Sequence, residues 1–531
     1  MNILMDQVFY NGRIYTMVKE KDFVEAVAVY DGKIMWTGSS SEAQSIDSKE
    51  RIDLQGKCVI PAFKDTHMHL THTRDRFKQV DLSECYSIEE INNVLKEKDK
   101  QLNPGEWIVG YRIHIEKLSD GRFPDKYDLD KVSTERPIYV TSYCGHAAMA
   151  NSKALEITKI DKGFIPPEGA FVDRDDNGEP TGILREHISA YMMQYIGPMF
   201  KTYEEKMEGL KEILNKYASY GYTTVQSNEM QPDGEETVRQ LITLKNEGKL
   251  PVRVTIDYTN FTGNYLGIIS GFGDDMLKAG SHKFFIDGSL NSHTAALKEP
   301  YSCDPKTKGQ LIYESDQDFI DAVKKAYDYG NTIAVHTIGD YAMDLMIKAI
   351  ENCYIPRDTR RFRIIHAMVV NEEQLEKLKK LPVILDTQPN FLLNWVNSCK
   401  QNIGEERAKL FLPYKTYLDK GLVVTGGSDS PVEVFNPFVG IQCAVTRQDM
   451  SGSPDDVFEP QERISTYEAV CLYTKYAAYS CNEENIKGTV ESGKYADFAV
   501  LDTDIFEAEP STLKNITVLK TILGGSTVYE K

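Results

Sequence analysis

Residues 64–72, KDTHMHLTH, hold three of the ten histidines of this chain within nine residues. His67 and His69 lie two positions apart, shortly after the apolar stretch CVIP at residues 58–61. In an extended chain, residues i and i+2 point to the same side, so the two imidazoles would project together. Paired imidazoles are typical metal ligands, although one member of such a pair can also pack or cap locally. The stretch alone therefore leaves both a metal site and a local structural role open.

Further apolar stretches downstream indicate more strands, and helical patterns separate several of them. Residues 204–221, for example, carry apolar side chains at helical spacing and end at Gly221, a common helix stop signal. Counting CVIP as the first strand gives eight, most of them followed by a helix, which is the pattern of a (β/α)8 TIM barrel in an α/β protein. The strands are predicted at residues 58–61, 222–227, 252–258, 282–288, 331–340, 361–368, 381–389 and 421–429.

Both chain ends indicate β structure, with short alternating runs broken by turn signals such as NG and DG. We predict that residues 1–60 and 482–531 form one small composite β-sandwich domain and that residues 61–481 form the barrel. Residues from about 71 to 201 do not follow the alternation of strands and helices, because they are rich in charge and turns. We predict an insertion there after the first barrel strand, over the mouth where barrel enzymes place their sites.

Composition narrows the class of partner and the location. The 531 residues carry a net charge of −19, which disfavours nucleic acid and anionic membranes as partners. The N-terminus lacks a signal-like pattern, and no uncharged apolar run is long enough to span a bilayer. Nine scattered cysteines without a C-x-x-C pair favour reduced thiols in a cytoplasmic protein. A homodimer is left open.

Other polar residues also terminate predicted apolar strands. His336 ends TIAVH, His366 ends RIIH and Asp429 ends VVTGGSD. Barrel enzymes place their catalytic residues at these strand ends, so four histidines and one aspartate there predict a metal site.

Lys283 lies inside the apolar strand of SHKFFIDGSL. Burial lowers the pKa of a lysine and leaves a reactive neutral amine. Such an amine can add carbon dioxide to form a carbamate that could bridge two cations, or the side chain can instead extend outward to water.

These motifs together resemble the amidohydrolase superfamily. VIPAFKDTHMHL is similar to its first-strand motif, and HKFFIDGSLNSHTAAL, VHTIGD, IIHAM and GGSDSPVE are similar to its later strand-end motifs. GHAAMANSKALE and GEPTGILRE in the insertion, and GKYADFAVLD near the C-terminus, resemble the branch that contains N-substituted formamide deformylase.

The resemblance implies a binuclear site. His67 and His69 would bind the first metal with Asp429, His336 and His366 would bind the second, and a carboxylated Lys283 would bridge the two. Zinc suits this ligand set, while manganese, iron or cobalt would also fit. The chain departs from the family pattern at four positions: Ala62 replaces glycine, Lys64 an apolar residue, Asn291 glycine and His293 arginine.

The expected chemistry is metal-assisted hydrolysis of a small-molecule amide. Two cations would lower the pKa of a bridging water, and Asp429 would move its proton to the leaving nitrogen. A linear amide, such as an N-substituted formamide or N-acyl amine, is the leading substrate class. Hydrolysis of a cyclic amide, deamination of a heterocycle and a non-catalytic regulatory role are the alternatives.

Four residues are candidates for contacts with the substrate. His146 in the insertion could contact the substrate or be a structural loop residue. Asp287 and His293 follow the Lys283 strand, where Asp287 could instead position a ligand or cap a turn. Trp395 could wall an apolar pocket or pack in the core.

Overall fold

The computed structural model describes residues 4–143, 147–167, 170–186, 188–229, 233–259, 269–448 and 457–531. The chain folds as two compact units, one formed by Met1–Thr73 with Leu210–Lys531 and the other by Arg74–Gly209. Within the described residues, no helix combines the length and the apolar character needed to cross a bilayer.

An eight-stranded parallel sheet forms the centre of the larger unit, and its strands follow one another in chain order. The first and last strands meet at a seam, where the N–H of Asp429 donates to the His67 carbonyl at 2.7 Å and the N–H of His69 to the Ser430 carbonyl at 2.8 Å. This sheet is the predicted (β/α)8 barrel. Its strands are β1 (Phe63–Met68), β2 (Tyr222–Glu229), β3 (Arg253–Tyr258), β4 (Leu277–Phe285), β5 (Ile333–Thr337), β6 (Phe362–His366), β7 (Val383–Thr387) and β8 (Val423–Gly426).

Helices alternate with the barrel strands and bury one apolar side. The helix Asp316–Asp328 begins at Ser315, whose hydroxyl accepts from the N–H of Asp318, and buries Phe319 and Val323 at helical spacing. The helices around the barrel are Tyr203–Ser219, Asp233–Asn246, Asp316–Asp328, Asp340–Cys353, Glu372–Leu378, Val396–Ile403, Glu405–Ala408, Tyr414–Asp419, Pro437–Thr446, Thr466–Tyr473 and Lys475–Tyr479.

The assignment of CVIP as the first barrel strand was wrong. Cys58–Pro61 runs antiparallel to Phe498–Leu501 and parallel to Arg13–Tyr15, in a sheet outside the barrel. The first barrel strand is the next segment, Phe63–Met68. Its sequence, FKDTHM, lacks the apolar run of a buried strand because its polar side chains have polar partners inside the barrel.

Two sheets built from the chain ends pack against each other. One has the order Lys33–Gly38, Ala26–Tyr30, Met5–Tyr10 and Ser48–Asp53. The other has the order Ser526–Glu530, Val518–Leu523, Phe498–Leu501, Cys58–Pro61, Arg13–Tyr15 and Phe23–Val24. Their shared core includes Phe9, Val27 and Ile34 from the first sheet and Phe498 and Ile522 from the second. Strands from both ends of the chain therefore share one sandwich.

A fully buried arginine organises the polar interior of the barrel. The Arg363 guanidinium in β6 donates to Asp257 at 2.6 Å, to Asp386 and to the Thr66 carbonyl at 2.5 Å. Burial opposes the charge of Arg363, but the two carboxylates raise its pKa above the ordinary value. The network ties β1, β3, β6 and β7 together beneath the strand ends.

The smaller unit, Arg74–Gly209, follows β1 and contains its own six-stranded sheet. One of its strands is Ile138–Ser142. The sheet has the order Ala170–Arg174, Pro180–Glu186, Ala147–Ala150, Ile138–Ser142, Ile108–Ile113 and Val80–Asp81, and the unit's helices include Ile88–Asp99, Lys126–Asp130, Ser152–Thr158 and Ile188–Ile196.

Candidate metal centre

His67, His69 and Asp429 converge at the seam between β1 and β8. Asp429 Oδ1 lies 3.4 Å from His67 Nε2 and 3.2 Å from His69 Nε2. One ligand atom from each of the three residues lies within 4.8 Å of the others, a spacing that could hold a metal ion. Asp429 has a left-handed backbone with φ of 54°, which turns its carboxylate at the end of the strand.

Lys283 lies in β4 and is buried, with Nζ 3.3 Å from His67 Nε2. Burial lowers the pKa of this amine to about 8, although the negative charge of Asp429 opposes the shift. The amine therefore has an appreciable neutral fraction near neutral pH. The side chain does not extend outward to water, which was the open alternative for this residue.

His336 and His366 lie at the ends of the neighbouring strands β5 and β6, with ring centroids 4.6 Å apart. The His366 ring is also 5.7 Å from that of His67, so both histidines adjoin the cluster at the seam. His366 has φ of 74°, a second strained backbone at a strand end. All six predicted ligand residues therefore occur at the same end of the barrel.

Burial keeps two of the imidazoles neutral. It lowers the pKa of His67 well below its ordinary value, and the charge of Lys283 adds to the shift. Burial likewise lowers the pKa of His366 to about 3, with His336 adding to the effect. A neutral imidazole offers the lone pair that metal binding requires.

The orientation of the histidines fits a cation-binding role. Three of them place Nδ1 against an oxygen, and an imidazole that donates from Nδ1 keeps its lone pair on Nε2. The Nε2 lone pair of His69 then faces Asp429 Oδ1, and the two atoms lie 3.2 Å apart. Both atoms are electron-rich, and a cation between them would stabilise this arrangement. The acceptors are the Asn228 carbonyl at 3.1 Å for His69, Asp287 Oδ1 at 3.1 Å for His336 and Gln388 Oε1 at 2.8 Å for His366.

Sequence reasoning missed Gln388, Asn228 and Asp65, which hold the candidate metal ligands in position. Asp65 lies two residues before His67, and its Oδ1 accepts from the N–H groups of His67 at 3.2 Å and Ser428 at 3.0 Å. Its Oδ2 accepts from the Ser428 hydroxyl at 2.6 Å. Asp65 thus fixes the two backbones that carry His67 and Asp429. The polar residues inside FKDTHM and DTQP were the available signals.

Asp287 is buried, and its carboxylate is occupied by groups of the protein. Oδ1 accepts from His336 Nδ1 and from the N–H of Ile338 at 3.2 Å. Oδ2 accepts from the N–H of Gly339 at 2.8 Å and that of Ala296 at 3.1 Å. The structure places this residue behind His336 as a positioning group.

We expect Asp287→Asn to lower affinity for the metal held by His336 by about 10–100-fold, because groups that orient metal ligands have effects of this size. The substitution removes the charge and turns an amide N–H₂ toward backbone N–H donors. Competition with a metal indicator dye measures the affinity. Asp328→Asn, an exposed carboxylate paired with Lys324, is the matched control. Equal affinity in the two variants would exclude the positioning role.

The remaining candidates are His293, Trp395 and His146. His293 Nε2 is 3.1 Å from Asn402 Oδ1 and 3.3 Å from Cys303 Sγ. Trp395 stacks on Phe391 at 4.8 Å, and Phe391 stacks on His366 at 6.0 Å. His146 lies outside the described residues.

Comparison with known proteins agrees with this fold. Residues 50–529 match the model described as Amidohydrolase family. The protein named "Putative amidohydrolase YtcJ" of Bacillus subtilis is 32% identical over 99% of this chain and 100% of its own length. N-substituted formamide deformylase of Arthrobacter pascens is 26% identical over 100% of this chain and 99% of its own.

A solved structure shows the same architecture. The uncharacterized metal-dependent hydrolase from Pyrococcus furiosus superposes with a TM-score of 0.74 at 29% identity, over 94% of this chain and 100% of that one. The chain belongs to the metal-dependent amidohydrolase family. It is a hydrolase that acts on carbon–nitrogen bonds, as expected from the strand-end motifs.

Proposed function

We propose that this protein hydrolyses the C–N bond of a linear amide, of the N-substituted formamide or N-acyl amine type, with two divalent cations, most suitably zinc. The observation that carries the proposal is the convergence of six side chains at the ends of β1, β4, β5, β6 and β8. The 26% identity to N-substituted formamide deformylase over the whole chain supports the linear-amide class.

The six residues would divide between the two cations. His67, His69 and Asp429 would hold one, and His336 and His366 the other. Lys283 would add carbon dioxide through its neutral amine, form a carbamate with release of a proton, and supply an oxygen to each cation. Bound cations would polarise the substrate carbonyl and acidify the attacking water.

Asp429 is the proton carrier in this proposal. Its carboxylate lies at the seam beside His67 and His69, and these contacts hold its oxygens at the centre of the ligand set. Burial raises the pKa of Asp429, but its interactions with His69, His366 and Lys283 lower it below the ordinary value. The carboxylate is thus available to take a proton from water and to deliver it to the leaving nitrogen.

The aromatic residues beside His366 favour a substrate with an apolar group. Phe391 and Trp395 continue from the His366 ring as successive stacked rings. Trp395 is only partly buried, and its indole Nε1 donates to Glu433 at 3.3 Å. We infer that an apolar substituent of the amide packs on this surface.

A substrate screen tests the proposal. The zinc-loaded protein is offered N-alkyl and N-aryl formamides, N-acyl amines, hydantoins and amino-heterocycles, with Asp429→Asn as the inactive control. We expect turnover of linear amides, with a higher kcat/KM for those carrying apolar substituents. Turnover restricted to hydantoins or amino-heterocycles would replace the linear-amide assignment. Metal binding without turnover of any class would favour a non-catalytic protein.

A further inference from the structure

A lysine and a cysteine lie in unusually close contact away from the metal centre. Lys64, near the start of β1, is one of the positions that depart from the family pattern. Its side chain is buried, and Nζ lies 2.8 Å from Cys481 Sγ. Two other nitrogen–sulfur contacts in this chain are longer, at 3.3 Å between His293 and Cys303 and at 3.5 Å between Arg253 and Met276. The Lys64–Cys481 separation is close to the span of two single bonds through one bridging atom.

The surroundings hold the thiol in place beside the amine. Cys481 follows the helix Lys475–Tyr479, and its Sγ also lies 2.8 Å from Gln226 Oε1. The Gln226 amide is itself fixed, because its Nε2 donates to Asp257 at 2.8 Å. The sulfur is therefore in contact with both Gln226 and Lys64.

The amine of Lys64 is not the sole partner of the nearby carboxylate. Glu483 accepts from Lys64 at 3.2 Å, from Lys487 at 2.9 Å and from Lys278 at a shorter distance. Two lysines would still neutralise Glu483 if Lys64 lost its charge. A reaction at Lys64 therefore leaves no unpaired buried carboxylate, which would be costly.

Small oxidants have a route to the pair. Cys481 is partly exposed, and it lines a cavity of about 250 Å³ together with Gln226, Lys278, Ser281 and Thr332. Six other cysteines are buried within the described residues, and Cys303 is exposed. Accessibility of the thiol is one requirement for selective oxidation.

We propose that Lys64 and Cys481 form a covalent nitrogen–oxygen–sulfur bridge by reaction with dioxygen. Once the Lys64 ammonium has given up a proton to solvent, the neutral amine, the thiol and one O₂ yield the bridge and one water. Nitrogen and sulfur each lose one hydrogen and two electrons, an N–O and an O–S bond form, and the second oxygen atom leaves as water. The bridge joins β1 to the segment after the helix Lys475–Tyr479. A thiol reductant opens it by attacking the sulfur: the S–O bond breaks, Lys64 leaves as a hydroxylamine, and a second thiol reduces the mixed disulfide and restores the Cys481 thiol. It is independent of the proposed amide hydrolysis.

Peptide mapping of the full-length protein tests the bridge. One sample is purified in air and a second under argon with dithiothreitol, and both are digested and analysed by mass spectrometry. In the air sample we expect a linked peptide pair containing Lys64 and Cys481, heavier than the two peptides by one oxygen and lighter by two hydrogens. Dithiothreitol should release both peptides. The argon sample should contain them unlinked.

Variants assign the linked atoms. Cys481→Ser leaves the lysines around Glu483 intact and should abolish the linked peptide, as should Lys64→Arg, which retains a cation without a primary amine. Cys303→Ser, which removes an exposed thiol elsewhere, should leave the linked peptide unchanged. The proposal is overturned if the air sample contains Lys64 unmodified and Cys481 as a thiol or an oxygen acid. It is equally overturned by a link that lacks the oxygen, or by one that uses Lys278 or Lys487.

Discussion

Asp429→Asn should reduce turnover by about 100-fold or more while the protein retains its metal. The amide keeps an oxygen ligand and the shape of the side chain, so it can still bind a cation beside His67 and His69. It cannot accept the proton of the attacking water, and general acid–base catalysis contributes an effect of about that size. The measurement is kcat/KM on the best linear amide, with metal content determined on the same samples.

A matched control separates this effect from a general change in charge. Asp419→Asn alters an exposed carboxylate that precedes β8 and pairs with Lys415, and it should retain full activity. If Asp429→Asn kept both its metal and near wild-type turnover, another group would move the proton. His146 and His293 would then be the residues to substitute next.

Lys283→Ala should lose bound metal and activity together. The variant removes the amine that lies 3.3 Å from His67 Nε2, and with it the carbamate that would join the two cations. Short carboxylic acids such as propionate should restore part of the activity, because they supply two oxygens in the space vacated by the side chain. The measurements are metal content and kcat with and without added acid.

Lys278→Ala provides the control for Lys283→Ala. Lys278 lies in the same strand, β4, but pairs with Glu483. This variant should keep its metal and should show no gain from added acid. Full activity in Lys283→Ala would rule out the bridging role, and an equal response of both variants to acid would show that the rescue is not specific to position 283.

The fold was predictable wherever a strand is apolar, and the error occurred where it is not. Each of the seven strands β2 to β8 was recognised from an apolar run. The strand β4 begins at Leu277, five residues before its predicted start. β1 was displaced onto CVIP because FKDTHM carries polar side chains that point into a polar barrel interior. Lys64 pairs with Glu483, and Thr66 donates to Asp386 at 2.6 Å. A pattern of hydrophobicity cannot identify a strand whose buried residues are satisfied by partners distant in sequence.

The ligand residues were predictable because the barrel brings the strand ends together regardless of the sequence and length of the loops. The groups that orient them were harder to predict. Gln388 lies 22 residues from His366, and the acceptor for His69 is a backbone carbonyl, that of Asn228. A carbonyl has no residue-specific signal, and an isolated glutamine has many ordinary uses. Asp287 could be proposed because it directly follows the strand of Lys283.

Metal content of the purified protein tests the central claim most directly. The account predicts close to two divalent cations per chain, loss of activity on exhaustive chelation, and recovery when zinc is restored. The predicted stoichiometry follows from the number of candidate ligands, since six are enough for two cations: His67, His69, Lys283, His336, His366 and Asp429. Protein that carries no metal and whose amide hydrolysis is unaffected by exhaustive chelation would contradict the account.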